Sequence, residues 1–159
     1  MTEFCKGFDP FYDEESTLLI LGSFPSVKSR QEGFYYGNPR NRFWETVCGY
    51  FGEATPATVA QKKAFLNRRH IALWDVVTSC RINGSKDSSI QEETVADIPR
   101  LFQNSKIKKI FCNGGKSFEL LEREFPALLE MTQKLPSTSP ANPRFDRSVW
   151  HRALDEVFV

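Results

Sequence analysis

An α/β fold is predicted, a three-layer α/β/α sandwich around a four-stranded parallel sheet. Two observations carry this expectation. Four short apolar stretches bounded by turn residues read as strands, and helical periodicities lie between them, so strand and helix alternate along the chain. The first two stretches are almost continuously apolar, which suits strands covered on both faces.

The strands are expected at Thr17–Gly22 (TLLILG), His70–Thr78 (HIALWDVVT), Lys108–Asn113 (KKIFCN) and Met131–Pro136 (MTQKLP). The first helix is expected over Arg42–Phe51, where Phe43, Trp44, Val47 and Phe51 recur at helical spacing. A second runs over Pro56–Arg68, with Thr55 as cap and proline in its first turn. Asp97 opens a short helix reaching about Phe102. Ser117–Phe125 aligns Phe118, Leu121 and Phe125, and a C-terminal helix aligns Val149, Ala153, Leu154 and Val157. Between the first strand and the first helix, Ser23–Arg42 reads as one long irregular stretch.

Composition narrows the classes. At 159 residues, with 40% hydrophobic and 26% charged content, one globular domain spanning 1–159 is expected. No apolar run nears the roughly 20 residues that cross a bilayer, so no membrane partner is expected. Met1–Lys6 lacks the order of a signal peptide, and the cytoplasm is the expected location. A net charge of +1 argues against a non-specific DNA coat but leaves room for local basic patches around Arg40 and Arg42, and around Arg144, Arg147 and Arg152. Cys5, Cys48, Cys80 and Cys112 form no C-x-x-C pair, and His70 and His151 share no ligand spacing; no metal and no cofactor are expected. The chain has neither G-x-G-x-x-G nor G-x-x-x-x-G-K-[ST], which argues against a nucleotide-handling α/β enzyme.

In open α/β sheets ligands bind beyond the carboxyl ends of the strands. The segments there read GSFPS, DVVTSC, CNGGKS and LPSTSPAN, all rich in turn-forming and hydrogen-bonding residues. Ahead of the first helix lies FYYGNPRNRFW. Its Phe34, Tyr35 and Tyr36 suit either stacking on a base or pinning the loop to the body. Asn41 could cap the helix, act in chemistry, or do both.

The string LGSFPS, then FYYGNPRNRFW, then LPSTSPAN, in that order, resembles the uracil-DNA glycosylase superfamily. The likeness is greatest to its hypoxanthine-DNA (deoxyinosine) glycosylase branch, with the mismatch-specific uracil/thymine branch next, and covers about Leu18 to Leu154. It implies a monofunctional enzyme of base excision repair that flips out a deaminated or mismatched base and hydrolyses its glycosidic bond. DNA carrying such a base is then the partner, and a monomer suffices.

Residue by residue, the loop Gly22-Ser23-Phe24-Pro25-Ser26 matches the one that elsewhere carries a water-activating Asp or Asn at its third position. Here Phe24 can do neither task, and it is assigned to base binding. The deoxyinosine branch similarly lacks a polar group there and relies on an asparagine in the NRFW element, so the resemblance implies the catalytic role for Asn41; a module of the same fold that binds lesions without cutting stays open. Tyr36 matches the stacking aromatic. Asp75 falls where a base-reading asparagine stands elsewhere, and an ionised carboxylate there would accept the ring N–H of hypoxanthine or uracil; an acid merely ending a strand is the alternative. Asn113 adds an amide contact. Ser26, Ser137, Thr138, Ser139, Asn142 and Arg144 are assigned to DNA, the last five in or just after the loop that the resemblance places on phosphates.

Overall fold

A computed structural model describes residues 1–159. The first half of the chain forms β1 (Glu3–Lys6), β2 (Leu18–Gly22), α1 (Val27–Glu32), α2 (Phe43–Tyr50), α3 (Val59–Arg69) and β3 (Ile71–Asp75). The second half adds β4 (Val77–Ile82), β5 (Gln91–Val95), β6 (Lys109–Asn113), α4 (Gly115–Glu124), β7 (Thr132–Leu135) and α5 (Arg147–Phe158). Single 3₁₀ segments occupy Asp87–Ser89, Ile98–Asn104 and Pro126–Met131.

The central sheet has the order β3-β2-β6-β7, and every pairing in it is parallel. Both β2 and β3 are buried at all five positions, which is what their unbroken apolar runs require. Side chains alternate across a sheet, and β6 shows what covers each face. Phe111 meets Trp150 of α5 edge-on, and Trp150 in turn meets Phe43 of α2. Its neighbour Cys112 lies instead against Ser117 of α4. Helices therefore cover both faces, giving the three layers, around one cluster of 35 buried apolar residues.

The alternation predicted from sequence is present, with several differences. His70–Thr78 is not one strand. The chain leaves the parallel sheet at Asp75 and enters a second, antiparallel sheet at Val77, ordered β1-β4-β5. Buried Val76 is the switch: its N–H donates to the Gly22 carbonyl of β2, and its own carbonyl accepts from Ala96 N–H beside β5. The second sheet escaped the periodicity reading because Gln91–Val95 is polar and mostly exposed, and Glu3–Lys6 is only four residues long.

Two helix limits also differ. The helix expected from Pro56 begins at Val59, because Thr58 caps it and Gln61 completes a reciprocal capping box; Thr55 plays no part. Within the stretch read as irregular, α1 forms over Val27–Glu32. The Ser26 hydroxyl accepts from Ser29 N–H at its start, and Gly33, with φ of 85°, ends it.

Candidate active site at the carboxyl edge of the parallel sheet

A cavity of about 810 Å³ opens where the strands of the parallel sheet end. Every residue assigned from the sequence to catalysis, base binding or DNA lines it except Arg144, which sits exposed just past LPSTSPAN. LPSTSPAN (residues 135–142) is the third loop, with GSFPS (22–26) the first and the segment before α2 the second. The cavity wall also includes Asn38, and Asn83, Ser85, Lys86 and Asp87 from the β4–β5 connection. These last four were missed with their sheet, although the turn-rich run NGSKDSS between two short strands was a hairpin signal.

The floor is built at the ends of β2 and β3. Gly22 and Asp75 stand opposite one another in the parallel register. A Cβ on Gly22 would fall 2.5 Å from Asp75 Oδ1 and 3.3 Å from the Tyr36 hydroxyl, so only glycine lets both groups lie over this backbone. Asp75 is 4% exposed, and its Oδ2 is buried without a hydrogen-bond partner. Burial, reinforced by the nearby Asp87 charge, pushes its carboxyl up to about 8. Burial therefore favours the protonated form of Asp75 over the ionised carboxylate expected from the sequence.

The aromatic triplet divides its labour. Phe34 and Tyr35 are core residues: Phe34 packs among Phe11, Tyr35 and Trp44, and the Tyr35 hydroxyl donates to the Asp9 carbonyl at 2.7 Å. Tyr36 faces the cavity. One face of its ring is stacked on Phe43, with centroids 4.1 Å apart. Its backbone sits in the left-handed region at φ of 55°, a conformation that costs on the order of 1 kcal/mol for a residue with a side chain. Trp44 Nε1 fixes that turn by donating to the carbonyls of Tyr35 and Tyr36. The ring keeps some exposure, but the hydroxyl is buried with no hydrogen-bond partner; Asn113 lies near it without closing a bond. Burial first, and then the proximity of Asp75, hold the phenol in its neutral form.

Asn41 has a defined orientation. Its Oδ1 accepts from Phe43 N–H at 2.9 Å and so caps α2. Because that partner is a donor, the amide must present its oxygen to the helix. Its N–H groups are left for the cavity that Asn41 lines.

Asn113 and Thr138 are stitched together. Asn113 Nδ2 donates to Thr138 Oγ1, and Thr138 N–H donates to Asn113 Oδ1, both at 2.9 Å. Thr138 is fully buried, so it ties the third loop to the end of β6 rather than presenting its hydroxyl outward. Around it the loop is self-bonded. Ser137 Oγ accepts from Ser139 N–H, Ser139 Oγ from Ala141 N–H, and Asn142 Oδ1 from Arg144 N–H.

Arg42, read from the sequence only as part of a basic patch, clamps this loop. Its guanidinium donates to the carbonyls of Thr138, Ser139 and Asn142 and lies over the Phe145 ring. Adjacent Asn41 and Arg42 thus fix the helix start and the third loop together. The first loop is held through Ser23, whose hydroxyl donates to Asp87 Oδ1 at 2.7 Å. Phe24, 7% exposed, carries Arg30 over its ring, and the Ser26 hydroxyl is engaged with Ser29. Nowhere do three His, Cys, Asp or Glu side chains converge as a metal ion would need.

The uracil DNA glycosylase superfamily profile matches residues 10–154 of this chain. A Methanosarcina acetivorans protein named hypoxanthine DNA glycosylase is 35% identical over 144 residues, covering 90% of this chain and 91% of that one. A Methanosarcina barkeri protein of the same name is 35% identical over 141 residues, covering 87% and 89%. Among solved structures, an NMR structure of a uracil DNA glycosylase candidate from Methanosarcina acetivorans superposes with a TM-score of 0.82 at 35% identity. It covers 98% of this chain and 99% of the other.

Proposed function

Because the chain belongs to the uracil DNA glycosylase superfamily and is a DNA glycosylase, we propose that it excises hypoxanthine from DNA as a single-domain monomer, in the cytoplasm, with no cofactor. The observation that carries this reading is Asp75, a buried carboxyl on the floor of the cavity whose Oδ2 has no hydrogen-bond partner and which burial holds toward its neutral form.

A neutral carboxyl offers an O–H donor beside a carbonyl acceptor. Hypoxanthine presents the complement, a ring N1–H beside O6, and uracil presents an equivalent edge. Once the entering base uncovers Asp75 Oδ2, which is buried in the free protein, two hydrogen bonds form with either base and leave no buried polar atom orphaned. Adenine carries the mirrored pattern, which a neutral carboxyl can also meet. Its exclusion then falls to the cost of extrusion: adenine leaves a sound pair, whereas hypoxanthine formed from it stands opposite thymine as a mismatch that opens more cheaply.

The remaining roles follow from position. Tyr36, backed by Phe43, receives the flipped base on its other face. The Asn41 N–H groups donate to the base as negative charge gathers on it during bond cleavage, a preorganised interaction because the capping bond already fixes the amide. Phe24 and Asn113 complete the base site. Ser137, Ser139 and Asn142 present the third loop to the DNA backbone, with Thr138 and Arg42 keeping its shape, Ser26 beside the first loop and Arg144 outside the cavity as a phosphate contact.

The test is direct. Duplexes carrying one hypoxanthine, uracil, xanthine or mismatched thymine are incubated with the protein and treated with alkali to cleave abasic sites. Hypoxanthine is expected to be released fastest. Faster release of another base, or no release from the hypoxanthine duplex, would refute the assignment.

A further inference from the structure

We propose that Asp87, on the connection between β4 and β5, holds the water that attacks the sugar, the task that Phe24 in the first loop cannot perform. The inference rests on the glycosylase reading and supplies the nucleophile-positioning group that reading lacks.

Hydrolysis needs an acceptor beside the anomeric carbon to orient water and take its proton. Family likeness places that acceptor in the Gly22–Ser26 loop, where Phe24 has nothing to offer. The structure brings a carboxylate to the same loop from elsewhere. Asp87 Oδ1 accepts from the hydroxyl of Ser23, the residue before Phe24, at 2.7 Å. Asp87 lines the cavity together with Asn41, Tyr36 and Asp75. It reaches there because the chain switches sheets at Val76, which carries the β4–β5 connection alongside the carboxyl edge of the parallel sheet. Its Oδ2 makes no hydrogen bond within the protein.

The two carboxyls of the cavity differ in what surrounds them. Asp75 is sealed from solvent with an orphaned oxygen. Asp87 is accessible from the cavity although crowded by protein; burial raises its carboxyl above the usual range, as a general base needs, and the Ser23 hydroxyl and the Lys116 ammonium offset part of that rise by favouring the charged form. When two acids share a site and only one has partners for its charge, that one ionises and the other keeps its proton. Asp87 is therefore the general base and Asp75 the neutral reader. The charged and titratable groups within electrostatic reach of Asp87 are Lys116 from α4, Asp75 from β3, Tyr36 from the segment before α2 and Cys80 from β4, with Lys86 beside it in the cavity wall.

The step balances without a co-reactant. The water oxygen bonds to the anomeric carbon as the glycosidic bond breaks and its electron pair leaves on the base. Asp87 accepts the proton shed by the water. The Asn41 N–H groups meet the charge on the departing base, which then takes a proton from solvent, and Asp87 returns its own to solvent.

Single-turnover excision from a hypoxanthine duplex, with enzyme in excess, tests this on the full-length protein. Asp87→Ala is expected to lower the rate about 100-fold. Its affinity for a duplex carrying a non-cleavable 2′-fluoro analogue should change by less than about threefold, since binding precedes the proton transfer. The wild-type rate should rise with pH through an acidic limb. Asp87→Asn, which can still accept from Ser23 and so preserves the loop, should lose that limb. Retention of the limb in Asp87→Asn, or an Asp87→Ala rate within about threefold of wild type, overturns the inference while leaving the substrate reading standing. A wild-type protein that releases no base sinks both.

Discussion

Replacing Asp75 with asparagine is expected to stabilise this protein while leaving it able to excise hypoxanthine. The carboxyl titrates at about 8 in the folded chain against an ordinary 3.8. Between those values the folded state holds a proton that the unfolded chain releases, so Asp75 lowers stability as pH rises from about 4 to 8. Below that window both states are protonated and the cost vanishes; above it both are ionised and the cost is constant. The full gap corresponds to an upper bound on the order of 5 kcal/mol, and relaxation around the buried group will reduce it. An amide of the same shape does not titrate. Asp75→Asn should therefore gain at least about 2 kcal/mol at pH 7, an increase in Tm of roughly 4–8 °C for a domain of this size. Urea unfolding of both proteins at half-unit steps from pH 5 to 9 measures the difference, which should grow to about pH 8 and then level. The same amide presents an acceptor beside a donor, as the neutral carboxyl does. Excision should stay within about tenfold of wild type and lose the alkaline fall centred near Asp75's titration. A variant that is less stable at pH 7, a difference independent of pH, or abolished excision would refute the neutral-carboxyl argument.

Three further perturbations separate roles that the structure joins. Asn41→Ser keeps an oxygen to cap Phe43 N–H but removes the amide donors, so the unfolding free energy should stay within about 0.5 kcal/mol of wild type while single-turnover excision falls about 100-fold. Wild-type rates in that variant would clear the donors of a role. Gly22→Ala forces a methyl to within 2.5 Å of Asp75 Oδ1, and a loss of roughly 1–3 kcal/mol in chemical denaturation should accompany loss of excision. Arg42→Ala removes the clamp on three carbonyls of the third loop and should weaken lesion-duplex binding in fluorescence anisotropy. Arg42→Lys should not restore it, because one ammonium cannot span what the planar fork spans.

The parallel sheet was legible because β2, β3 and β6 carry their burial in their composition. An unbroken apolar run has few uses other than a strand covered on both faces. The antiparallel sheet was not legible, for the opposite reason. Gln91–Val95 is held by pairing to β4 rather than by its own apolar side chains, and pairing partners leave no periodicity in a single strand. That omission hid Asp87, since its place in the cavity depends on a hairpin whose second strand is invisible to pattern. The charge state of Asp75 was also out of reach, because it is set first by burial in the folded chain and then by Asp87, its neighbour only in space. Asn41 was readable as either a cap or a catalytic group; the bond from Phe43 N–H to its Oδ1 decides which end of the amide is free for the catalytic role proposed above.

Where this fold is under strain argues for the location of its chemistry as strongly as the family likeness does. Four buried side-chain atoms lack hydrogen-bond partners, and two of them, the Tyr36 hydroxyl and Asp75 Oδ2, belong to groups gathered over Gly22. Such atoms are rare in folded proteins because each costs about 1–3 kcal/mol. The same spot holds the left-handed backbone of Tyr36 and an acid displaced upward to about 8. A packing defect would scatter these penalties, or replace the groups with apolar ones of similar shape. Gathered around one glycine on the floor of a cavity, they describe a surface completed by something that arrives from outside. On the proposed reading, a base edge with one donor and one acceptor would meet the Asp75 carboxyl, and its ring would occupy the face of Tyr36 that Phe43 leaves open.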